Sequence, residues 1–141
     1  MPSTRPSGTD VTVEHVDPPG LYPGAPYHYA AVTEAGRMVF AAGACPIDED
    51  GVVVPGGIEA QAAKAVENLF AALSAAGAAA GDVLKTTVYV ASSDQPDLVR
   101  AWEVIAAAFA PARPPSTLLG VAVLGYTDQL VEIEAIAVAR A

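Results

Sequence analysis

The sequence is poor in cysteine and in basic residues. With one cysteine it can form no internal disulfide and no cysteine-based zinc site. Seven lysine and arginine residues stand against sixteen aspartate and glutamate residues, which gives a formal net charge of −9. Because a binder of nucleic acid or of an anionic membrane needs a basic surface, we expect neither as a partner. The low cysteine content fits a cytoplasmic location.

Long apolar runs and a high charge content are also missing. No stretch of about 18 apolar residues predicts a membrane span, and the first residues lack the apolar segment of a secretion signal. Of the 141 residues, 16% are charged and 52% hydrophobic, which is typical of a compact domain with much apolar surface to cover. Residues 1–10 are polar and aperiodic and predict a disordered tail, and residues 11–141 predict a single domain.

The periodicity of apolar residues predicts two helices and several strands. Residues 58–76 form an amphipathic helix, and Ser92, Ser93 or Asp94 caps a second one that ends at the segment PARPP. Strands are predicted at 11–16, 29–34, 37–42, 82–91, 116–124 and 130–139, with a hairpin turn at Ala35-Gly36. This order predicts an α+β domain with both helices on one face of a sheet.

The last predicted strand carries a pattern that bears on assembly. One face holds Val131, Ile133, Ala135 and Ala137, and the other holds Glu132, Glu134, Ile136 and Val138. The second half of this strand is therefore apolar on both faces, although the helices cover only one. Because another copy of the chain is the simplest cover for the second face, the sequence predicts a homo-oligomer.

Five segments follow one another along the chain. They are APYHYAAV, GRMVFAAGACPIDEDGVVVPGG, a helix containing EAQ and ENL, a KTTV strand and the closing VEIEAIAV, and together they span about residues 20–139. In this order they resemble the RidA (YjgF) family of reactive imine and enamine deaminases. The resemblance implies a chorismate-mutase-like fold with a mixed sheet and two helices. It also implies a homotrimer with three clefts between subunits, and hydrolysis of reactive enamines and imines, such as 2-aminoacrylate, to 2-keto acids and ammonia.

The chemistry of that reaction indicates which residues to look for. A 2-imino acid carries a carboxylate that an arginine fork binds well, and a carboxylate near the substrate nitrogen can take a proton from the attacking water. The resemblance places this carboxylate at Glu132 and a substrate-side tyrosine at Tyr27. The arginine position, however, falls on Ser116.

Four residues are predicted to bind substrate: Ser116, Thr117, Arg113 and Cys45. Arg113 precedes Ser116 by three residues, an odd step that reverses the side-chain face, so it can contribute only by folding back from its loop. Each residue also has a structural interpretation: Glu132 as a solvated strand residue, Tyr27 as a packed loop residue, Cys45 as a buried thiol and Arg113 as a helix C-terminal cation.

His28 is interpreted as a surface residue and Glu134 as a structural one. Two distant histidines make a poor metal site, and the sequence contains neither a Walker loop nor a Gly-x-Gly-x-x-Gly fingerprint, so we expect no metal and no cofactor.

Three hypotheses for function remain open at this point. The first is a RidA-like trimer with an inter-subunit cleft that hydrolyses a small imine, enamine or related carbonyl compound and releases ammonia. The second is a non-catalytic trimer that binds a small ligand or acts as a regulatory protein. The third is a specialised biosynthetic enzyme whose substrate has no carboxylate. Ser116 at the arginine position favours the second and third over standard deamination.

Overall fold

The computed structural model describes residues 13–34 and 36–140. The predicted tail at residues 1–10 and the start of the predicted strand 11–16 lie outside these ranges. The elements, in chain order, are β1 (Glu14–Val16), β2 (Ala30–Val32), β3 (Arg37–Phe40), α1 (Gly57–Ala75), β4 (Val83–Val90), α2 (Gln95–Phe109), β5 (Ser116–Gly120) and β6 (Val131–Ala139). A short 3-10 turn, Ala80–Asp82, precedes β4.

Four of the strands form the main sheet, in the order β3-β6-β4-β5. Strand β6 is antiparallel to both of its neighbours, whereas β4 and β5 are parallel and are connected through α2. The predicted mixed sheet is therefore confirmed. Its longest strand, β6, lies in the interior of the sheet, where both of its edges are hydrogen bonded.

Helix α1 forms where the apolar spacing predicted it, within one residue at each end. Its buried stripe includes Leu69 and Leu73, which are fully buried in the hydrophobic core. Phe70 extends the contact to α2, where its ring meets that of Phe109 edge-on with centroids 5.0 Å apart. The apolar face of α1 thus joins the two helices to one another as well as to the sheet.

The start of α2 is held by one of the three predicted capping residues, Ser92. Asp94 occupies the N-cap position but makes no side-chain cap hydrogen bond. The Ser92 hydroxyl instead accepts the N–H of Asp94 at 3.0 Å and donates to the carboxylate of Asp97 at 2.7 Å. Ser92 therefore connects the end of β4 to the first turn of α2.

The predicted hairpin at Ala35-Gly36 is wrong. Strand β2 pairs with β1 in a separate two-stranded sheet, and β3 pairs with β6. Strand β3 carries Val39, which packs against the core, whereas β2 is largely exposed. Strand β3 pairs with β6 because this pairing buries its apolar side chain on the main sheet. The short loop between β2 and β3 does not make them partners.

Strand β5 ends at Gly120, four residues before the predicted end. Its parallel partner β4 ends at Val90, and the N–H of Val121 bends back to the carbonyl of Val90 at 2.8 Å. A Cβ at Gly120 would lie 2.6 Å from the carbonyl oxygen of Ser92, so only glycine allows this approach. Strand β5 stops because its partner has turned into the cap of α2.

The sheet face opposite the helices is open within the part of the chain that the structure describes. On β6 the residues that face the helices are buried, and Glu132, Glu134 and Ile136 on the other face are half-buried, as the period-two pattern predicted. Val138, predicted on that same outer face, is instead fully buried within the single chain. Neighbouring strands add exposed apolar side chains to this open face, with Phe40 72% and Met38 48% exposed. These side chains form an apolar surface on a single chain.

We expect replacement of Leu69 by alanine to lower the free energy of unfolding by about 2–5 kcal/mol, because it removes a fully buried side chain and leaves a cavity. Leu21→Ala is the matched control: Leu21 is 48% exposed, and its loss should cost under about 1 kcal/mol. Urea denaturation at one fixed protein concentration measures both changes. Equal losses would show that α1 does not carry the core.

Candidate functional site

Glu132 lies on the open face of β6, and two side chains donate hydrogen bonds to one of its carboxylate oxygens. The Cys45 thiol donates to Oε1 at 3.1 Å, and the Gln129 amide donates to the same atom at 3.2 Å. Two donors on a single oxygen fix the orientation of the carboxylate. This carboxylate is therefore held in place by its neighbours, unlike a freely solvated strand glutamate.

Gln129 was not identified from the sequence, where it reads only as a polar residue of the turn before β6. It is 4% exposed, and all of its side-chain polar atoms have partners. Its amide nitrogen also donates to the Val131 carbonyl at 3.0 Å, and its amide oxygen accepts the N–H of Tyr126 at 3.1 Å. Since both ends of the amide are fixed, Gln129 is a rigid donor toward Glu132.

The segment that carries Cys45 runs directly beside Glu132. The N–H and carbonyl of Ala44 pair with Ile133 on β6, at 2.6 and 3.1 Å. A Cβ at Gly43 would overlap Oε2 of Glu132, so glycine is what allows the carboxylate to lie against this backbone. Asn68 on α1 anchors the following loop, because its amide donates to the carbonyls of Cys45 and Ile47 at 2.8 and 2.9 Å.

The surroundings of Cys45 make it a proton donor and a poor nucleophile. Burial, the hydrogen bond to Glu132 and the negative charge of that carboxylate raise the pKa of the Cys45 thiol from 9.0 to about 11. At neutral pH the sulfur therefore keeps its proton, and the attacking thiolate form is scarce. The structure places Cys45 in contact with Glu132.

A second group of predicted site residues surrounds a groove at the other edge of the sheet. Tyr27, Ser116 and Thr117 line it together with Pro26, Trp102 and Leu118, and its volume is about 500 Å³. The ring of Tyr27 meets the ring of Trp102 edge-on, with centroids 6.5 Å apart. Tyr27 is therefore packed against an aromatic wall with its ring half-buried.

Ser116 and Thr117 point to opposite faces of the sheet. The Ser116 hydroxyl lies 2.5 Å from that of Thr86, its buried partner on the helix side, and donates to the Pro114 carbonyl at 2.9 Å. Thr117 is on the open face, where its hydroxyl accepts a hydrogen bond from Lys85 at 2.6 Å. Of these two residues only Thr117 shares a face with Glu132.

Even Thr117 is remote from Glu132 within one chain. The two residues are separated by β4 and by two positions along the strand, which places their Cα atoms about 12 Å apart in a regular sheet. Between them, the Tyr89 hydroxyl donates to Glu134 at 2.6 Å, and this bond is the main cause of the raised pKa of Tyr89. Glu134 is thus engaged by a neighbour, in agreement with its structural interpretation.

Arg113 folds back from its loop, but toward the proline-rich segment and away from Glu132. Its Nη2 donates to the Ala25 carbonyl at 2.7 Å, and its own carbonyl accepts the N–H of His28 at 2.9 Å. His28 in turn lies with Nδ1 2.6 Å from the carboxylate of Asp17, which also accepts the N–H of Tyr29. These bonds lower the pKa of Asp17 and give His28 a structural partner.

Residues 13–34 and 36–140 contain no group of three or more His, Cys, Asp or Glu side chains that could hold a metal ion. Neither α1 nor α2, the long helices of the same ranges, combines the length and the apolar character needed to cross a bilayer.

A family model described as "Endoribonuclease L-PSP" matches residues 21–139. A RutC family protein of Pyrococcus horikoshii is 40% identical over 110 residues, which are 77% of this chain and 85% of that protein. A 2-iminobutanoate/2-iminopropanoate deaminase of Salmonella typhimurium is 35% identical over 119 residues, 84% of this chain and 92% of the deaminase.

Solved structures agree with the sequence comparisons. A Rid-family protein of unknown function from Yersinia pestis, YyfB, is 29% identical and superposes with a TM-score of 0.83 over 90% of this chain and 98% of its own. RidA from an Antarctic Psychrobacter species is 30% identical, with a TM-score of 0.66 over 83% of this chain and 91% of its own.

Because its pKa is about 11, we expect Cys45 to react slowly with iodoacetamide at pH 8, about 100-fold more slowly than in the urea-unfolded chain. The rate should rise about tenfold per pH unit up to about pH 11. Glu132→Gln should accelerate it, because that change removes the carboxylate that raises the thiol pKa. Equal rates in the native and unfolded chains would contradict the thiol–carboxylate contact.

The family model, the relatives and the structural neighbours all cover most of the chain. The two helices on one face of a mixed sheet agree with the α+β fold that the sequence motifs implied. The chain therefore belongs to the RidA (YjgF) family.

Proposed function

We propose that this protein is a homotrimeric, cytoplasmic deaminase that hydrolyses a small imine or enamine to a carbonyl compound and ammonia. The observation that carries the proposal is the Glu132 carboxylate, oriented on the open sheet face by Cys45 and Gln129. A relative that is 35% identical over 84% of this chain is a 2-iminobutanoate/2-iminopropanoate deaminase, which supports the same reaction class.

The proposed reaction needs one group that takes up and returns protons beside the substrate, and the oriented Glu132 carboxylate can do both. Water attacks the carbon of the protonated imine while Glu132 takes one of its protons, which gives a neutral carbinolamine. The carboxylic acid then returns that proton to the nitrogen. As the C–N bond breaks, the Glu132 carboxylate takes the hydroxyl proton and passes it to the departing ammonia, which leaves a carbonyl behind. Cys45 and Gln129 keep Oε1 occupied as a hydrogen-bond acceptor, so they hold the carboxylate in one orientation through both proton transfers.

The cleft is proposed to lie between subunits, because a single chain separates its two halves. Glu132 and Cys45 occupy one region, and Tyr27 and Thr117 line the groove at the other edge of the sheet. A second copy packed on the open apolar face can bring its groove to the Glu132 of the first. Burial of the exposed Phe40 and Met38 side chains favours that packing.

The second candidate is a trimer that binds a small ligand without catalysis, and Ser116 favours it. The sequence motifs place the family's arginine position at Ser116, and the hydroxyl of this residue is already bonded to Thr86 and Pro114. Without that guanidinium, a substrate carboxylate loses about 1–2 kcal/mol of binding. Hydrolysis of RNA is not proposed, because a chain with a net charge of −9 repels a polyanion.

We expect Glu132→Gln to lower kcat for 2-iminopropanoate hydrolysis at least about 100-fold, because the amide keeps the shape but cannot take a proton. Glu134→Gln, on the same face of the same strand, is the control and should change kcat less than about threefold. A coupled assay for keto-acid formation measures both. Full activity of Glu132→Gln would refute the catalytic assignment.

The same assay separates the two candidates. Wild-type turnover that depends on Glu132 supports the deaminase. Absence of turnover in the wild type, together with turnover in Thr117→Arg, which puts a guanidinium on the same face as Glu132, would show that the catalytic machinery is intact and that only the carboxylate anchor is missing. That result would favour the non-catalytic trimer or an enzyme with a different substrate.

Assembly is tested by light scattering at micromolar concentration. We expect the wild type to have three times the 14.3 kDa mass of one chain, and Phe40→Glu to be mostly monomeric, because it puts a charge on the open face. Val99→Glu is the control: Val99 is 44% exposed on α2, in the layer on the other side of the sheet, and the variant should remain a trimer. A monomeric wild type would overturn the inter-subunit cleft.

A further inference from the structure

A cavity of about 270 Å³ lies beside Ser116, between the second half of α2, the first halves of β4 and β5, and the loop at residues 110–114. Most of its wall is apolar and is formed by Pro26, Trp102, Ile105, Ala106, Phe109 and Pro114. It exceeds the cavity of about 150 Å³ that suffices to hold a benzene molecule in an engineered protein core. It therefore has room for a ring or a branched alkyl chain.

This cavity adjoins the groove that the proposed cleft uses. Pro26, Trp102 and Ser116 line both of them, and Thr117 lines only the groove. Because β5 is the edge strand of the main sheet, the two hollows form one recess that passes around this edge. A ligand held in the groove can therefore extend past Ser116 into the cavity.

The two hydroxyl groups of the cavity are already engaged inside the protein. Because Ser116 donates to the Pro114 carbonyl, the contact between Ser116 and Thr86 uses the Thr86 proton. Neither hydroxyl has a proton left to donate to a ligand. This part of the wall therefore gives a carboxylate no hydrogen bond.

The cations near the cavity are engaged elsewhere. Nη2 of Arg113 donates to the Ala25 carbonyl at 2.7 Å, in the adjoining pocket that Asp17 also lines. The hydrogen bond with His28 is the main cause of the lowered pKa of Asp17, and the charge of Arg113 adds to it. Lys85 lies on the open face of the sheet. A carboxylate that entered the cavity would lose its hydration with no cation in place to pair with it.

We propose that this cavity binds an uncharged, apolar group of the substrate, either a branched alkyl chain or a ring. The inference rests on the proposed function, because it assigns the substrate class of the same cleft: the imine or enamine of an apolar ketone or aldehyde, in preference to a 2-imino acid. The apolar group packs between Trp102, Ile105 and Phe109, and the C=N group stays in the groove.

Ser116 contributes to this specificity by its size. It lines the cavity, so a longer side chain at this position, such as that of an arginine, would extend into the same space. The serine that removes a carboxylate anchor therefore also leaves room for an apolar group.

Two ketones of matched shape test the proposal, because a ketone is the carbonyl product that the reaction would release. 5-Methylhexan-2-one ends in an isopropyl group, and 4-oxopentanoate carries a carboxylate in its place. Trp102, the only tryptophan of the sequence, lines the cavity, so its fluorescence should change when the cavity is filled. We expect a saturable change with 5-methylhexan-2-one and a Kd at least about tenfold higher for 4-oxopentanoate.

Variants locate the bound group. Ala106→Leu, which fills the cavity, should raise the Kd for 5-methylhexan-2-one at least about tenfold. Ala107→Leu, on the exposed side of α2, is the matched control and should leave the Kd unchanged. If Ala106→Leu does not fold, as judged by circular dichroism, Ala112→Leu fills the same cavity from its loop.

Three results would overturn the proposal: no saturable change with 5-methylhexan-2-one, equal or tighter binding of 4-oxopentanoate, or undiminished binding by a folded cavity-filling variant. Binding needs no turnover, so a positive result stands even if the protein proves not to be a deaminase. Conversely, turnover of 2-iminopropanoate that depends on Glu132, without binding of 5-methylhexan-2-one, would reject the apolar pocket and leave the deaminase assignment intact.

Discussion

The register of β6 is the constraint on which the rest of this structure depends. This strand pairs with β3 on one edge and β4 on the other, and its alternate residues face the helices. A shift of one residue would move Glu132 and Glu134 into the core and expose the apolar set, at a cost of several kcal/mol for each unpaired buried charge.

Side chains from other elements hold both ends of β6 in that register. Before its start, the amide oxygen of Gln61 on α1 accepts the N–H of Leu130 at 2.6 Å, and its nitrogen donates to the Asp128 carbonyl at 3.0 Å. After its end, Arg140 lies with Nε 2.5 Å from the carboxylate of the buried Asp82. The contacts of Glu132 described above all follow from this fixed position.

Electrostatics divide this molecule into two unlike regions. Around Glu132 a carboxylate is oriented by donors, one of which is a thiol whose pKa is raised so that it remains a donor. Around Ser116 the neutral hydroxyls of Ser116 and Thr86 bond to one another. The nearby cation, Arg113, lies on the loop and donates to the Ala25 carbonyl. A chain with seven basic residues has few places to bind an anion.

The amino-acid sequence by itself determined the helices, the two faces of β4 and β6, the family and the position of Glu132. Hydrophobic period and local motif are short-range properties of the chain, and these features depend on little else. The predictions from the sequence are wrong where strand pairing is not local. Strands β2 and β3 join different sheets, and β5 stops early because β4 has already turned into the cap of α2.

Only the tertiary structure decided what surrounds each site residue. Gln129 approaches Glu132 because it is buried at the turn before β6, and Cys45 reaches the same oxygen from a loop 87 residues away in the chain. Ser116 and Thr117 are adjacent in sequence but lie on opposite faces of the sheet, and Arg113 donates to the carbonyl of Ala25. Sequence spacing cannot give these results, because side-chain hydrogen bonds depend on which distant segments the packing of the core brings together.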